Sequence, residues 1–321
     1  MNFPVFDLHC DTALALLGDK LQSVDSLRKN QLHIDLERAG RLAGYAQCFA
    51  CFTTPDMQTW YQKSPVAVFE MEMAAILSQV EKHSDLIRQA FTPEDIENNL
   101  QKGIASAVLT VEGPAGFGFD PALLEDLYKI GFRMTTLGWN EHNVLSGSNV
   151  TGEGLLDIGR EYVQEAQRLG MLIDISHISD QAFWDIMDIT QAPVIASHSN
   201  SRQVCDVSRN LSDDMFLEIC RTGGVAGFNL YADFVGEQPD LNQAAAHFLH
   251  FLELDPSGKH IALGGDLDGC EQLVSGFDGV QSYPLLAQTL LDKGLDSEQV
   301  MNIFWNNALG VMKNAVRNNK K

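Results

Sequence analysis

The sequence predicts a (β/α)8 TIM barrel, and three observations lead there. The chain has 321 residues, a common length for that fold. Eight short apolar runs rich in β-branched residues alternate with helical patterns that carry their own start and stop signals, which marks repeated strand–helix units around a parallel sheet. Most polar, metal-capable residues in those runs stand where a run ends, and barrel enzymes assemble their sites at that end of the strands. An open doubly wound sheet is the rival fold. Its glycine-rich phosphate turn is missing, because Asp7-Leu8-His9-Cys10-Asp11-Thr12 occupies the place after the first strand.

In order, the runs are Val5 to Cys10, Gly44 to Phe52, Ala105 to Val111, Phe132 to Trp139, Met171 to Ser176, Pro193 to Ser197, Gly224 to Leu230 and Ile261 to Gly265. Their near-continuous apolarity suits strands covered on both faces. The helices between them are marked chemically. Thr92 caps with Pro93 in the first turn and Gly103 at the end, and Asp120 caps with Pro121 following and Gly131 closing. Ser179 precedes Gln181 to Trp184, Ser212 precedes Met215 to Leu217, Pro284 to Gly294 repeats the logic, and Ser297 is expected to open a last helix through Val311-Met312. No linker or low-complexity stretch divides the chain, so one domain over residues 1–321 is expected.

Composition excludes several function classes. Lys and Arg number 22 against 43 Asp and Glu, a formal charge of −21, and so acidic a surface repels phosphate backbones and anionic lipid. Neither nucleic acid nor a membrane is an expected partner. No apolar run approaches the ~18 residues needed to cross a bilayer. Met1 to Asp7 lacks the basic start and apolar core of a signal peptide, and Asn318 to Lys321 lacks an anchor signal, which favours the cytoplasm. Six scattered cysteines in so long a chain are expected to be free thiols.

The run ends carry the chemistry. His9 and Asp11 share a face by strand alternation while Cys10 turns away. Glu112 ends the third run, His177 the fifth and His198 the sixth, and Asp266 and Asp268 follow the eighth. Imidazoles and carboxylates converging from five strands suit one or two divalent cations, Zn2+ first, with Mn2+, Fe2+ or Co2+ served by the same ligands. Other candidates are weaker. Cys48 and Cys51 have redox spacing, but three residues apart in a strand they face opposite sides. His247 and His250 could share a helix face, yet no third ligand is near, and His33, His83 and His260 sit in ordinary polar contexts.

These stretches resemble the membrane (renal) dipeptidase family of zinc metallopeptidases, in a shorter bacterial-type form, over nearly the whole chain. The likeness rests on Asp7-Leu8-His9-Cys10-Asp11, Val111-Glu112-Gly113, Asp174-Ile175-Ser176-His177, Ala196-Ser197-His198-Ser199-Asn200, Arg209-Asn210-Leu211-Ser212-Asp213 and Gly265-Asp266-Leu267-Asp268-Gly269. It implies an amidohydrolase-like barrel with two zinc ions per chain, His9 and Asp11 on one, His177 and His198 on the other, and Glu112 bridging. It further implies that Asp266 handles the proton, with Asp268 as the alternative, and that Arg209 holds a substrate carboxylate. Two departures stand out. Gly113 is followed by Pro114 where the family often has a second glycine, and Trp139 stands where many members carry a substrate-binding histidine, with Asn140 or His142 as substitutes. Asn229 and Tyr231, ending the seventh strand, are candidates to line the pocket.

The expected activity is hydrolysis of a small dipeptide through a water shared by two cations, with a homodimer allowed. Two alternatives stay open at this point: a related amidohydrolase acting on N-acyl amino acids, lactams or phosphoesters, and a barrel that binds peptides without cleaving them.

Overall fold

Apolar alternation holds along each strand and gives way at its carboxyl end, and that change positions the site. The computed structural model describes residues 2–318; Met1 and residues 319–321, parts of the terminal stretches read above, lie outside them. Nine parallel strands are present among the described residues: β1 (Val5–Asp7), β2 (Tyr45–Phe52), β3 (Ile87–Gln89), β4 (Ala105–Glu112), β5 (Phe132–Thr135), β6 (Leu172–Asp174), β7 (Val194–Ile195), β8 (Ala226–Phe228) and β9 (Ile261–Leu263). Eight follow one another in the order β7-β6-β5-β4-β2-β1-β9-β8. A parallel bridge from Ala196 to Ala226 brings the two ends of that path together. The result is a nearly closed (β/α)8 barrel with a thin seam between β7 and β8.

All eight expected runs form barrel strands, most of them shorter than their apolar stretches, while β4 extends one residue beyond its run to Glu112. The ninth, β3, is an addition: it pairs only with the start of β4, Ile87 opposite Ala105. Ile-Arg-Gln is too short and too polar to read as a buried strand, and one apolar residue suffices at an edge.

Alternation sorts the side chains into two layers. Phe6, Ala46, Cys48, Val108, Met134, Leu172, Ile195 and Ala262 pack together in the barrel interior with Trp305, Leu309 and Met312, which seal its base. Tyr45, Phe49, Cys51, Leu109 and Val111 instead belong to the larger core between strands and helices. Cys48 and Cys51 therefore fall in different layers, and all six cysteines are free.

The helix starts follow their caps. Thr92 accepts from the Asp95 amide in a capping box that opens Pro93–Gln101, and Ser179 and Ser212 do the same for Asp180–Met187 and Asp213–Thr222. Asp120 caps a short 3-10 turn that leads into Leu124–Ile130 and ends at Gly131. Ser297 opens the last helix as expected, with Asp296 as its cap, but the helix Ser297–Met301 passes through a π-helical stretch, Asn302–Asn306, before Asn307–Asn318. The wider turn allows Ile303, Phe304 and Trp305 to be buried in succession. Among the described residues no helix is long and apolar enough to cross a membrane.

Candidate metal centre and active site

Glu112, the last residue of β4, sits at the centre of the barrel mouth and divides its two carboxylate oxygens. Oε2 lies 3.2 Å from His9 Nε2, which is itself 3.4 Å from Asp11 Oδ2. Oε1 lies 3.0 Å from His177 Nε2 and 3.8 Å from His198 Nε2. Ligand atoms of His9, Glu112 and His198 fall within 4.8 Å of one another, as do those of His9, Asp11 and Asp266. The six residues come from the ends of β1, β4, β6, β7 and β9, and all are buried.

Hydrogen bonds fix which ring nitrogens are free. Ser197 donates its hydroxyl to Asp174 Oδ2, so its oxygen accepts from His198 Nδ1 at 2.6 Å. His177 Nδ1 donates to Asn140 Oδ1 at 2.9 Å. Both rings consequently turn a bare Nε2 lone pair inward, and these two nitrogens lie 3.1 Å apart. Two acceptors that close repel unless a cation or proton lies between them. His9 Nε2 and Asp11 Oδ1 are likewise buried without a hydrogen-bond partner. Imidazoles held through their outer nitrogen by a carboxylate, serine or amide relay are how proteins orient metal ligands, so the residues present fit a pair of divalent cations.

Electrostatics describe the same cluster with protons in place of cations. Burial lowers the pKa of His177 and His198 well below the usual imidazole range, and the neighbouring His9 and Arg209 charges add to it. Burial acts the same way on His9, but the Glu112 and Asp11 carboxylates outweigh it and hold that ring well above its ordinary value. Burial also pushes Glu112 up to about 7, against the pull of His9. Neutral imidazoles facing an acidic pair are the protonation pattern that metal uptake exploits, because each ligand must surrender its proton to bind.

Asp266 and Asp268 part company. Asp266 Oδ1 is 3.8 Å from His9 Nε2, and Oδ2 accepts from Asn229 Nδ2 at 3.0 Å. Burial raises its pKa. Asp268 borders the same cavity, but its carboxylate accepts from Thr12 Oγ1 at 2.7 Å and from the His33 amide at 2.6 Å. Their carboxylates part although both residues border the cavity, because both have left the extended conformation, with φ of 56° and 68°. His177 shares this left-handed geometry at φ 72°. Such residues cost of order 1–3 kcal/mol each and persist where function holds them. The close packing depends on Gly269, where a Cβ would lie 2.1 Å from Asp11 Oδ2 and 2.5 Å from Asp266 Oδ1.

The cavity above this centre has a volume of about 340 Å³ and is bordered by Asp11, Glu112, His177 and Asp266 together with Phe52, Trp139, Asn140, Tyr231 and Phe234. Trp139 packs edge-on against Phe52, 5.3 Å between ring centres, and 6.1 Å from the His177 ring. Three expected pocket residues stand elsewhere. His142 is exposed, 3.4 Å from Glu153, since the chain has already turned outward. Asn229 is fully buried beneath the cavity, holding Asp266. Arg209 is 7% exposed behind Phe234, with one terminal nitrogen on Ser199 Oγ at 3.0 Å and its Nε unpartnered.

The family model for membrane dipeptidases, peptidase family M19, matches residues 1–321. The chain belongs to that family. Among its relatives, an uncharacterised dipeptidase of Schizosaccharomyces pombe is 33% identical over 65% of this chain, and the chain spans about half (53%) of that protein. The dipeptidase verJ of Clonostachys rogersoniana is 30% identical, covering 97% of this chain and 84% of its own length. Among solved structures, a metallopeptidase of Rhodobacter sphaeroides liganded with a phosphinate mimic of L-Ala-D-Ala superposes with a TM-score of 0.87 at 23% identity, over 98% of this chain and 100% of that one.

In this member of the membrane dipeptidase family, several residues that support the site were assigned no role from the sequence. Asp7 and Asp174 are carboxylates inside apolar runs, where a strand reading sees only an interruption. Asp7 takes the amides of His9 and Gly265 and the Tyr283 hydroxyl, tying β1 to β9. His33, read as ordinary, accepts from the Asp268 amide at 2.9 Å. Glu72, on the helix Pro65–Lys82, is wholly buried, and burial followed by the Asp11 charge raises its carboxyl pKa well above the usual range. Its only sequence clue is a charge on the buried face of a helix. His247 is a satisfied core histidine, accepting from the Ser201 amide and donating to the Val235 carbonyl.

Proposed function

We propose that this chain is a zinc-dependent dipeptidase. Two zinc ions would be held by His9 and Asp11 on one side, His177 and His198 on the other, with Glu112 between. The observation that carries this reading is the divided Glu112 carboxylate, one oxygen toward His9 and the other toward two imidazole lone pairs 3.1 Å apart. Bound cations supply Lewis acidity for the scissile carbonyl and acidify the attacking water.

The chain's own groups do the rest. Asp266, poised by Asn229 and desolvated, takes the proton of the attacking water and returns it to the leaving amine. The Asp174–Ser197 and Asn140 contacts keep His198 and His177 in the tautomer that offers Nε2. Arg209, buried behind Phe234 and not itself on the cavity wall, lends a fixed positive charge that favours the substrate's free carboxylate from behind that wall. Phe52 and Trp139 form an apolar wall for a side chain, and about 340 Å³ suits a dipeptide rather than a folded protein.

The test pairs metal analysis with a panel of dipeptides, including D-residues at the second position, their C-terminal amides, and N-acyl amino acids. The expected result is about two zinc equivalents that depend on Glu112, turnover of dipeptides and little turnover of amides. Glu112→Gln should release metal and abolish turnover. Metal-loaded protein that cleaves N-acyl amino acids but no dipeptide would overturn the substrate assignment in favour of a related amidohydrolase, and protein that neither binds metal nor hydrolyses would overturn both.

A further inference from the structure

At the opposite end of the barrel a second set of metal-binding atoms converges, independent of the mouth. Cys220 lies in the last turn of the helix Asp213–Thr222, Asp255 ends the helix Leu241–Leu254, and His260 immediately precedes β9. Their ligand atoms all lie within 4.8 Å of one another, and each residue is partly buried. We propose that Cys220, Asp255 and His260 form a structural transition-metal site, zinc by preference, that ties two helix ends to the start of β9.

Two details of hydrogen bonding point to a cation there. His260 Nδ1 donates to the Gly224 carbonyl at 2.7 Å, which fixes the tautomer and leaves Nε2 as the free lone pair. Asp255 Oδ1 is occupied by the Ser257 amide and hydroxyl, at 3.1 and 2.6 Å, whereas Oδ2 is buried with no hydrogen-bond partner. A thiol, an imidazole nitrogen and a carboxylate oxygen, one of each, form a borderline donor set for which zinc is well matched. Bonds of ~2.0–2.3 Å around a tetrahedral ion require these donors to close in by side-chain rotation alone, with water as the fourth ligand.

The same three residue types also make up a thiol-protease triad, but the geometry is wrong for one. A triad uses both ring nitrogens, one for the thiol and one for the orienting carboxylate, and here Nδ1 belongs to Gly224. Burial and the Asp255 charge moreover push the Cys220 thiol up to about 12, so it is a poor free nucleophile.

Cobalt titration of the metal-free protein tests the site, because thiolate ligation gives an intense near-ultraviolet charge-transfer band that imidazoles and carboxylates do not. In Glu112→Gln, whose mouth no longer competes for cobalt, the band is expected to saturate at one equivalent; it is expected to persist in the unaltered protein and in Cys270→Ser, and to vanish in Cys220→Ser. Cys220→Ser is expected to lose one zinc equivalent while its turnover stays within about twofold of the unaltered protein. On the unaltered protein, zinc should shield Cys220 from alkylation, read by peptide mapping, with Cys205 as an internal control. No band, a band that survives Cys220→Ser or is lost in Cys270→Ser, or Cys220 alkylation unaffected by zinc would overturn the assignment.

Discussion

The two ends of the barrel interior use the same backbone for opposite purposes. At the base, Phe6, Leu172 and Ile195 meet Trp305, Leu309 and Met312 in one buried apolar cluster. At the mouth, the same strands continue into Asp174, Ser197, His198 and Glu112, and buried polar atoms are left without partners at His9, Asp11 and Arg209. Left-handed backbone at non-glycine residues gathers at the mouth as well, in His177, Asp266 and Asp268. The base therefore stabilises the fold, and the mouth draws on that stability to hold charges and strain that would not persist alone.

This contrast predicts mutations that separate chemistry from stability. Asp266→Asn should retain bound metal and lower kcat by about 10²–10⁴-fold with little change in Tm; full activity would remove Asp266 from proton transfer. At the base, Trp305→Ala should destabilise by about 3–5 kcal/mol in denaturant titrations while KM and the activity per folded molecule stay constant. A changed KM would show that the two ends are coupled. Ser197→Ala, which frees the outer nitrogen of His198, should weaken metal affinity by about 10–100-fold, read by competition with a chelator.

The smallest effect concerns Glu72. Its folded pKa is raised, so above about pH 4 the unfolded chain loses this proton while the folded chain keeps it. Stability contributed through this group falls as pH rises, until the raised folded value is reached. Glu72→Gln should remove that slope, matching the original protein near pH 4 and exceeding it by on the order of 1 kcal/mol at neutrality. Superimposable Tm curves across that range would mean that burying Glu72 costs nothing.

The base and the mouth also differ in how far sequence alone describes them. Strands and helix starts are legible because their causes are local: an apolar run, or a Thr92, Ser179 or Ser212 hydroxyl within reach of an amide three residues on. Convergence of His9, Asp11, Glu112, His177 and His198 is also legible, since each sits at the end of an apolar run in a parallel barrel. What escapes is decided by distant partners or by lost periodicity. Asp7 takes the nearby His9 amide, but its link to β9 is explained by the distant Gly265 and Tyr283. Asp266 and Asp268 diverge through positive φ values that no alternation rule anticipates, and His142 leaves the mouth because its loop has turned toward Glu153. The edge strand β3 lacks the apolar length that marks its neighbours.

The Asp7 carboxylate spans 258 residues of sequence to reach the Gly265 amide, and His9 meets Asp266 across the same join. Contacts of such separation form late, after most loop closure has already been accomplished. During synthesis the amino-terminal ligands must wait, exposed, for nearly the whole chain to emerge. The complete pocket requires this join, so regain of hydrolysis after denaturation is expected to serve as a clock for ring closure rather than for the growth of individual helices.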